Sequence, residues 1–312
     1  MANLEGISGE AAWLDGKFVR RRELALPLGD AGFVLGATVT EQLRTVRGEL
    51  FLPEPHARRL AESLQAVGIR AFEPPDSLLT AAARLAAHNH RCLPQRGSLP
   101  PDLGVVIFVT AGDQASQHEG RSGSPRTVIH SFPLAFGMWA RAYDAGVSLR
   151  SVSVRQVPPD CWPLSAKVRS RLHYFLADRE AAAAEPGSRA VLAHLDGRIS
   201  ETSTANLAIV RQGRITSPPP ADALSGVSLA FTRELAGELG LPWTEESLSA
   251  ADLATADEIL LTSTPNCLLP ATRFDGRLIG SGEPGPVYRQ LLAAWSEAVG
   301  LDIAAQAQAH AG

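Results

Sequence analysis

The chain has 312 residues, of which 45% are hydrophobic and 20% charged, and its formal net charge is −4. This composition is typical of a globular protein long enough for two domains, and the interspersed charges form no basic stretch that would make nucleic acid the main partner. The chain has no apolar run of the roughly 20 residues that cross a bilayer and no signal-like start, so the sequence predicts a soluble, cytoplasmic protein with no membrane partner.

The first half of the chain predicts an antiparallel sheet with two helices. Its predicted elements are, in chain order, hairpins over 12–19 and 38–52, helices over 54–67 and 76–90, and a buried strand over 103–110. The hairpins follow from alternating apolar and polar residues around Asp15-Gly16 and Arg47-Gly48. The helices follow from apolar residues spaced three and four apart. A loop rich in proline and glycine follows the second helix, and residues 113–124 indicate a polar surface loop.

A second domain is predicted after the chain loses its periodicity at 133–141, where proline and glycine favour a linker. The predicted elements of this domain are a strand over 146–155, an alanine-rich helix ending near 184, strands over 189–195 and 206–210 with a short one ending at 201 between them, a helix over 227–239, a strand over 258–262 and a helix over 287–299. We therefore divide the chain into an N-terminal domain (1–132), the linker, a C-terminal domain (142–302) and a flexible tail (303–312).

Lys167 is conspicuous because the chain contains 27 arginines and only two lysines, of which the other, Lys17, adjoins a predicted turn. Lys167 lies between an apolar segment and the start of a predicted helix. Partial loss of hydration there would leave more of its amine uncharged and able to form a Schiff base with an aldehyde. Taken alone, a lysine that reaches along a helix edge towards solvent explains the position better.

Groups that could bind an anion occur at three places. Gly226 precedes a predicted helix, whose first backbone N–H groups could bind a phosphate, although an ordinary helix cap has the same sequence. Residues 262–264 add hydroxyls where a strand ends, and a simple turn is the alternative there. Arg59 could add a fixed charge, but an arginine exposed on a helix is the ordinary explanation.

Glu201 ends a predicted strand and is followed by small residues and by Asn206. A carboxylate beside a pyridine nitrogen keeps that nitrogen protonated, which allows pyridoxal phosphate to withdraw electrons. A surface glutamate at a strand end explains this residue equally well by itself.

Other chemistry has no support in the sequence. The histidines show no metal-binding spacing, the three cysteines are far apart, and there is no GxSxG or GxxxxGK motif. Residues 280–285 formally fit GxGxxG, but prolines crowd them and the chain ends before a βαβ unit could follow. The sequence therefore predicts no metal site, no serine hydrolase and no P-loop.

Taken in order, these segments resemble the fold type IV enzymes that use pyridoxal 5'-phosphate (PLP), which include branched-chain and D-amino-acid aminotransferases and aminodeoxychorismate lyase. The resemblance extends from about Trp13 to Leu292 and is carried by GDAGFVLGATVTEQLRT, HARRLAESL, the Lys167 segment with RLHYFLADREA, DGRISETSTANLAI, LSGVS and ADEILLTST with LLPATRFDGRLIG. It implies an α/β (α+β) fold with a smaller N-terminal α/β domain, a larger β-barrel-like C-terminal domain with helices, and the cofactor between them. It also implies a homodimer.

The resemblance assigns roles to individual residues. Lys167 corresponds to the lysine that carries the cofactor, Glu201 to the partner of the pyridine nitrogen, and Arg59 to a phosphate ligand. The remaining cofactor contacts that the resemblance implies are Asn206, Gly226, Val227, Ser228, Ser263 and Thr264. The substrate pocket that it implies contains Phe33, Glu41, Arg44, His118 and Arg171.

The substrate is less well defined by this resemblance. The D-amino-acid enzymes have an arginine for the substrate carboxylate where this chain has Ser116, although the following histidine is present as His118. Branched-chain enzymes have a tyrosine five residues after the lysine, where this chain has Leu172. Arg171 with Leu172 resembles the lyase, whereas Glu41 matches the aminotransferases.

The sequence therefore predicts an aminotransferase that moves an amino group between an amino acid or amine and a 2-keto acid. We expect it to be branched-chain-like more than D-amino-acid-like. A lyase that releases pyruvate from an aminated chorismate-like substrate is the first alternative. A non-catalytic protein that binds PLP or another metabolite is the second.

Overall fold

The computed structural model describes residues 4–94, 99 and 101–311. Most of the predicted loop rich in proline and glycine, residues 95–98 and 100, lies outside the described residues, as do both ends of the chain. The contacts divide the chain into two units. The first unit comprises the described residues up to Leu134 together with Ala166–Ser170, and the second comprises Ala135–Ser165 and the chain from Arg171 onwards.

The first unit contains an antiparallel six-stranded sheet in the order β2-β1-β6-β5-β3-β4. Its elements are β1 (Ala11–Leu14), β2 (Lys17–Arg20), α1 (Ala31–Val34), β3 (Thr38–Val46), β4 (Glu49–Leu50), α2 (Pro53–Val67), α3 (Pro75–His90), β5 (Leu103–Thr110) and β6 (Arg126–Pro133). Asp15 and Gly16 have φ values of 45° and 88°, and Arg47 and Gly48 of 54° and 85°. Positive φ at both central residues is what a type I′ turn requires, so both predicted hairpins are confirmed.

Helices α2 and α3 supply the core on one face of this sheet. Leu60 of α2 and Leu85 of α3 are 1% and 0% exposed, and they pack in one apolar cluster with Val39 and Leu43 of β3. Burying a leucine side chain contributes about 1.5–3 kcal/mol. Helix α2 ends at Gly68, whose φ of 70° is the left-handed conformation that favours glycine at a helix end.

The second unit contains a nine-stranded mixed sheet in the order β12-β11-β10-β13-β14-β7-β8-β9, with β15 paired to β14. Its elements are α4 (Ala142–Ala145), β7 (Val147–Arg155), α5 (Leu172–Ala184), β8 (Arg189–Ala193), β9 (Ile199–Thr202), β10 (Asn206–Arg211), β11 (Arg214–Ser217), α6 (Val227–Glu238), β12 (Trp243–Glu245), α7 (Ala250–Ala254), β13 (Glu258–Ser263), β14 (Cys267–Phe274), β15 (Arg277–Leu278), α8 (Pro286–Val299) and α9 (Ile303–Ala309). Strand β7 pairs in parallel with both β14 and β8, whereas β10, β13 and β14 pair antiparallel.

Small residues bring α5 close to this sheet. Ala177 and Ala181 of α5 are 0% and 1% exposed and pack against Val152 of β7 and Leu192 of β8. Helix α6 is tied to α8 because the indole of Trp295 donates a hydrogen bond to Thr232 Oγ1 at 3.0 Å. These contacts hold α5 against the sheet and α6 against α8, and several of the predicted site residues lie at the N-terminal ends of these two helices.

The structure differs from the sequence-based expectations in three places. Strand β6 (Arg126–Pro133) was not predicted and ends within the expected linker 133–141. Ala166–Ser170 contacts the first unit, although the sequence-based division placed it in the C-terminal domain. The tail expected to be flexible contains α9, because Ile303 and Ala307 are 2% and 0% exposed and Asp302 caps the helix.

No helix in the described part of the chain is long and apolar enough to cross a bilayer.

Candidate active site

Lys167 lies in an extended segment beside β3, and α5 begins five residues later, so the lysine is not in the first turn of that helix. Thr40 N donates a hydrogen bond to Lys167 O at 2.9 Å, and Val168 pairs with Val39. Lys167 N donates to Ser63 Oγ of α2 at 3.1 Å. The backbone of the lysine is thereby held by both a strand and a helix, which is the rigid support that a reactive side chain needs.

A buried ion cluster lies in the same unit. Arg59 Nε and Nη2 donate to Glu41 Oε2 and Oε1 at 2.9 and 2.6 Å, which is a bidentate pair. His56 Nδ1 is 3.0 Å from Glu41 Oε1. Glu41 and His56 are 1% and 2% exposed. Because an ionised carboxylate only accepts hydrogen bonds, we assign the hydrogen of His56 to Nδ1.

The charges in this cluster and its burial shift the pKa values of Glu41 and His56. Burial by itself raises the pKa of Glu41, but the charge of Arg59, the charge of His56 when it is protonated, and the hydrogen bonds from both outweigh burial and hold that pKa well below its ordinary range. Burial lowers the pKa of His56, and Glu41 opposes this effect while the charges of Arg59 and Lys167 add to it. At neutral pH the cluster therefore contains an anionic Glu41, a cationic Arg59 and a neutral His56.

The other pocket residues predicted in the first unit have different surroundings. Arg44 is 2% exposed, and its guanidinium lies 3.8 Å from the buried carboxylate of Asp102. Phe33 is 74% exposed on α1, and His118 is exposed just after a short 3-10 turn. The structure thus brings together Glu41, Arg59 and Lys167 of the predicted set, and it adds His56, which sequence reasoning did not include in the site.

In the second unit, the carboxylate of Glu201 on β9 receives a donor at each oxygen. Tyr174 Oη donates to Glu201 Oε1 at 2.6 Å, and Asn206 Nδ2 donates to Glu201 Oε2 at 3.0 Å. Burial and the neighbouring Glu201 carboxylate raise the pKa of Tyr174 well above its ordinary value, so its phenol remains a donor. Arg171 donates to the carbonyl of Ser203, and its guanidinium lies 4.5 Å from the centre of the Tyr174 ring.

Helix α6 begins beside this carboxylate. Its N-cap is Gly226, and no side chain of the described residues caps the helix. The first backbone N–H groups of α6 can therefore donate hydrogen bonds to a bound anion. A Cβ on Gly226 would overlap Asn206 Oδ1, so only glycine allows this approach. Val227 and Ser228 follow in the first turn, and both are buried.

Thr262 adds a hydroxyl to the same region. It is the register partner of Asn206 between β13 and β10, so the two side chains lie on one face of the sheet. Its Oγ1 is buried and has no hydrogen-bond partner among the described residues. A buried hydroxyl without a partner is costly, so this hydroxyl is available to a bound ligand or an ordered water. The predicted Ser263 ends β13 and Thr264 lies in the turn after it.

Comparisons with known proteins identify the family. The model of the amino-transferase class IV family matches residues 38–274. The chain belongs to the class IV aminotransferases. It is 27% identical over 288 residues to a D-alanine aminotransferase of Bacillus licheniformis, covering 91% of this chain and 95% of the relative. It is also 27% identical over 281 residues to a putative branched-chain-amino-acid aminotransferase of Methanocaldococcus jannaschii, covering 89% and 93%.

Solved structures confirm the fold. The branched-chain aminotransferase of Escherichia coli matches this class IV aminotransferase with a TM-score of 0.84 at 24% identity, over 93% of this chain and 94% of that one. The predicted α/β, two-domain fold type IV architecture is therefore confirmed. The family match confirms the enzyme class.

PLP is the cofactor of class IV aminotransferases and hence of this chain. The residues present fit this group. The uncapped N-terminus of α6 and the unpartnered hydroxyl of Thr262 suit a phosphate, and the carboxylate of Glu201 suits a protonated ring nitrogen. The described residues contain no cluster of three or more histidine, cysteine or acidic side chains that could hold a metal.

Proposed function

We propose that this class IV aminotransferase transfers the amino group of an apolar, branched-chain-like amino acid to a 2-keto acid, with Lys167 as the catalytic residue. The observation that carries the proposal is Lys167 itself: it is one of two lysines in the chain, and its backbone is fixed by β3 and α2. Lys17, in contrast, is exposed beside the Asp15-Gly16 turn.

Each proposed site residue has a defined task. When bound, PLP supplies an electron sink that stabilises negative charge at the Cα of the substrate. The amine of Lys167 would hold the cofactor at rest and, once free, would accept the proton from the Cα of the amino donor. Glu201 would accept a hydrogen bond from the ring nitrogen and keep it protonated.

The phosphate of PLP is the proposed ligand of a further set of groups. The residues proposed to bind it are Arg59, Gly226, Val227, Ser228, Ser263 and Thr264. We include Thr262 in the proposal because its buried hydroxyl has no partner among the described residues. Asn206 acts on Glu201 through its amide and on Gly226 by contact. Together these groups would fix the tilt of the cofactor, which determines the bond that is broken.

The proposed preference for branched-chain-like substrates is supported by the absence of an arginine at position 116. Ser116 stands where D-amino-acid enzymes have an arginine for the substrate carboxylate, and it lies exposed in a 3-10 turn. A serine hydroxyl cannot replace the bidentate, charged donors of an arginine. Relatives named for D-alanine and for branched-chain amino acids are equally identical to this chain, so Ser116 is the feature that favours the branched-chain-like preference.

Half-reactions of the PLP-loaded protein test this proposal. Leucine, isoleucine and valine in both stereochemical forms, with D-alanine as the contrast, are mixed with the enzyme while the visible absorbance of the cofactor is followed. We expect the branched-chain amino acids to consume this absorbance faster than D-alanine, and a keto acid to restore it. A faster reaction with D-alanine would contradict the proposed preference.

The lyase alternative gives a different outcome. A lyase would release pyruvate from an aminated chorismate-like substrate without any keto acid, whereas an aminotransferase stops after one half-reaction. Arg171, which the lyase resemblance involves, contacts Ser203 and Tyr174 in this chain. The homodimer and the cytoplasmic location stay predictions, which analytical ultracentrifugation and cell fractionation would check.

A further inference from the structure

Tyr174 occupies a position that the sequence did not indicate. The tyrosine expected five residues after the lysine in branched-chain enzymes is replaced by Leu172, which is 69% exposed. Tyr174 lies two residues further along α5, and its phenol reaches Glu201 Oε1 at 2.6 Å. Two residues in a helix differ by about 200° in direction, so Leu172 and Tyr174 lie on different faces.

A chain of hydrogen bonds fixes the direction of the Tyr174 proton. Gln156 is 2% exposed, and its Nε2 donates to Tyr174 Oη at 3.1 Å and to Ser200 Oγ at 3.0 Å. Gln156 Oε1 accepts from Val157 N at 2.9 Å, which fixes the orientation of the amide. Because the phenol oxygen accepts from Gln156, its hydrogen is directed to Glu201.

The two oxygens of Glu201 therefore each receive one donor from the second unit itself, from Tyr174 and from Asn206. A carboxylate oxygen can accept two hydrogen bonds, so the bond from Tyr174 does not by itself prevent Oε1 from accepting a second donor. A donor that is already in place also stabilises the negative charge of the carboxylate and makes it a weaker proton acceptor.

We propose that Tyr174 is a positioning residue that orients Glu201 and keeps it a charged, weak base, so that the proton of the cofactor ring stays on nitrogen. This inference rests on the proposed role of Glu201. Tyr174 acts through the carboxylate, because its phenol donates to Glu201. This bond orients Glu201 both for binding the cofactor and during the reaction.

Tyr174→Phe in the PLP-loaded enzyme tests the inference. Tyr143→Phe is the matched control, since Tyr143 is also in the second unit, is 2% exposed, and its phenol donates at 2.8 Å to the carbonyl of Asn266. A hydrogen bond to a charged group is stronger than one to a carbonyl, so we expect Tyr174→Phe to slow the half-reaction with leucine by about tenfold and the control to leave it nearly unchanged.

The spectrum gives a readout that does not depend on activity. The pH at which the visible band of the bound cofactor titrates is expected to rise in Tyr174→Phe. Without the phenol, Glu201 is a stronger base and draws the proton away from the ring nitrogen. A ring with less positive charge repels the titrating proton of the cofactor less, so that proton is lost at a higher pH. Tyr143→Phe should titrate like the wild type. An unchanged titration in Tyr174→Phe would overturn the inference. If Tyr174→Phe does not fold, Gln156→Met, which leaves the Tyr174 phenol in place, should give a smaller shift in the same direction, and no shift would again overturn the inference.

A double-mutant cycle separates action through Glu201 from a general packing effect. In a Glu201→Gln background, Tyr174→Phe is expected to change neither the rate nor the titration further. The same tenfold loss in both backgrounds would show a merely structural role and overturn the inference. If Glu201→Gln alone behaves like the wild type, the proposed role of Glu201 fails; if Glu201→Gln is impaired and Tyr174→Phe matches its control, only the inference about Tyr174 fails.

Discussion

Glu41→Gln tests whether one buried carboxylate holds the ion cluster of the first unit together. Glutamine has nearly the same shape as glutamate but carries no negative charge. The guanidinium of Arg59, which is 7% exposed, would then remain buried without its counter-charge. His56 would lose the charged acceptor of its Nδ1 hydrogen in the same substitution.

The size of the effect follows from the contacts of Glu41. This residue is 1% exposed and accepts from Arg59 at 2.9 and 2.6 Å and from Gln42 N at 2.8 Å. Removing one partner of a buried ion pair costs about 3–5 kcal/mol, because the remaining charge stays buried without compensation. We therefore expect the free energy of unfolding of the first unit to fall by about 3–5 kcal/mol.

Hydrogen exchange of the cofactor-free protein, followed by mass spectrometry of its peptides, reports each unit separately. Peptides of β3 and β5 should exchange faster in Glu41→Gln, and peptides of the second unit should not change. Glu62→Gln is the control, because Glu62 lies exposed on α2. A difference between the two variants of less than about 0.5 kcal/mol, the usual size of a surface substitution, would show that Glu41 does not hold this cluster together.

Three further predictions concern the start of α6 and the acid side of the stability profile. Thr262→Val should weaken PLP binding by about tenfold without lowering the stability of the cofactor-free protein, since the hydroxyl has no partner in the described structure. PLP titration checks the affinity and thermal unfolding checks the stability, with Thr262→Ser, which keeps a hydroxyl, as the control. Gly226→Ala should weaken PLP binding more than Gly237→Ala, since a Cβ at Gly226 meets Asn206 and one at Gly237 meets nothing within 4 Å; equal affinities would contradict this. The lowered pKa of the histidine partner of Glu41 means that its share of the stability is complete above about pH 6.5 and is lost as the pH falls, and the lowered pKa of Glu41 means that its own share is complete above about pH 4.5 and is lost below it. Urea unfolding from about pH 8 to about pH 3 should show both declines, and a flat profile would contradict them.

Local signals explain why much of the fold could be predicted from the sequence. The hairpins depend on Asp15-Gly16 and Arg47-Gly48, and helix α2 ends at its glycine, Gly68. Turn residues and helix ends act within a few positions of the chain, so their patterns are visible without tertiary contacts.

Strand β6 could not be predicted in this way, because it is a central strand. It pairs with β5 on one side and β1 on the other, and three consecutive residues from Thr127 to Ile129 are buried. Burial on both faces removes the alternation that identifies a strand, and its pairing partners are distant in the sequence. The adjacent Pro133 and Gly137 favoured the interpretation as a linker.

The site residues also divide into those with a signal in the sequence and those that depend on tertiary contacts. Lys167 and Glu201 were predicted by the order of segments, whereas the contact between Tyr174 and Glu201 depends on how α5 packs on β7 and β8. The pairing of Glu41 with Arg59 likewise joins a strand to a helix 18 residues later, so sequence reasoning assigned them to separate roles. A histidine three residues before Arg59 in a helix is the signal that could have indicated His56, since such residues are neighbours.

Covalent mapping of the cofactor identifies the lysine to which PLP is bound. The PLP-loaded protein is reduced with borohydride, which makes the link between lysine and cofactor permanent, and its peptides are analysed by mass spectrometry. Among the side chains, only those of Lys17 and Lys167 can carry the label, since the chain has no other lysine. We predict that the pyridoxyl mass is found on the Lys167 peptide and is absent in Lys167→Ala. Labelling of Lys17 in the wild type, or no stable label at all, would contradict this account.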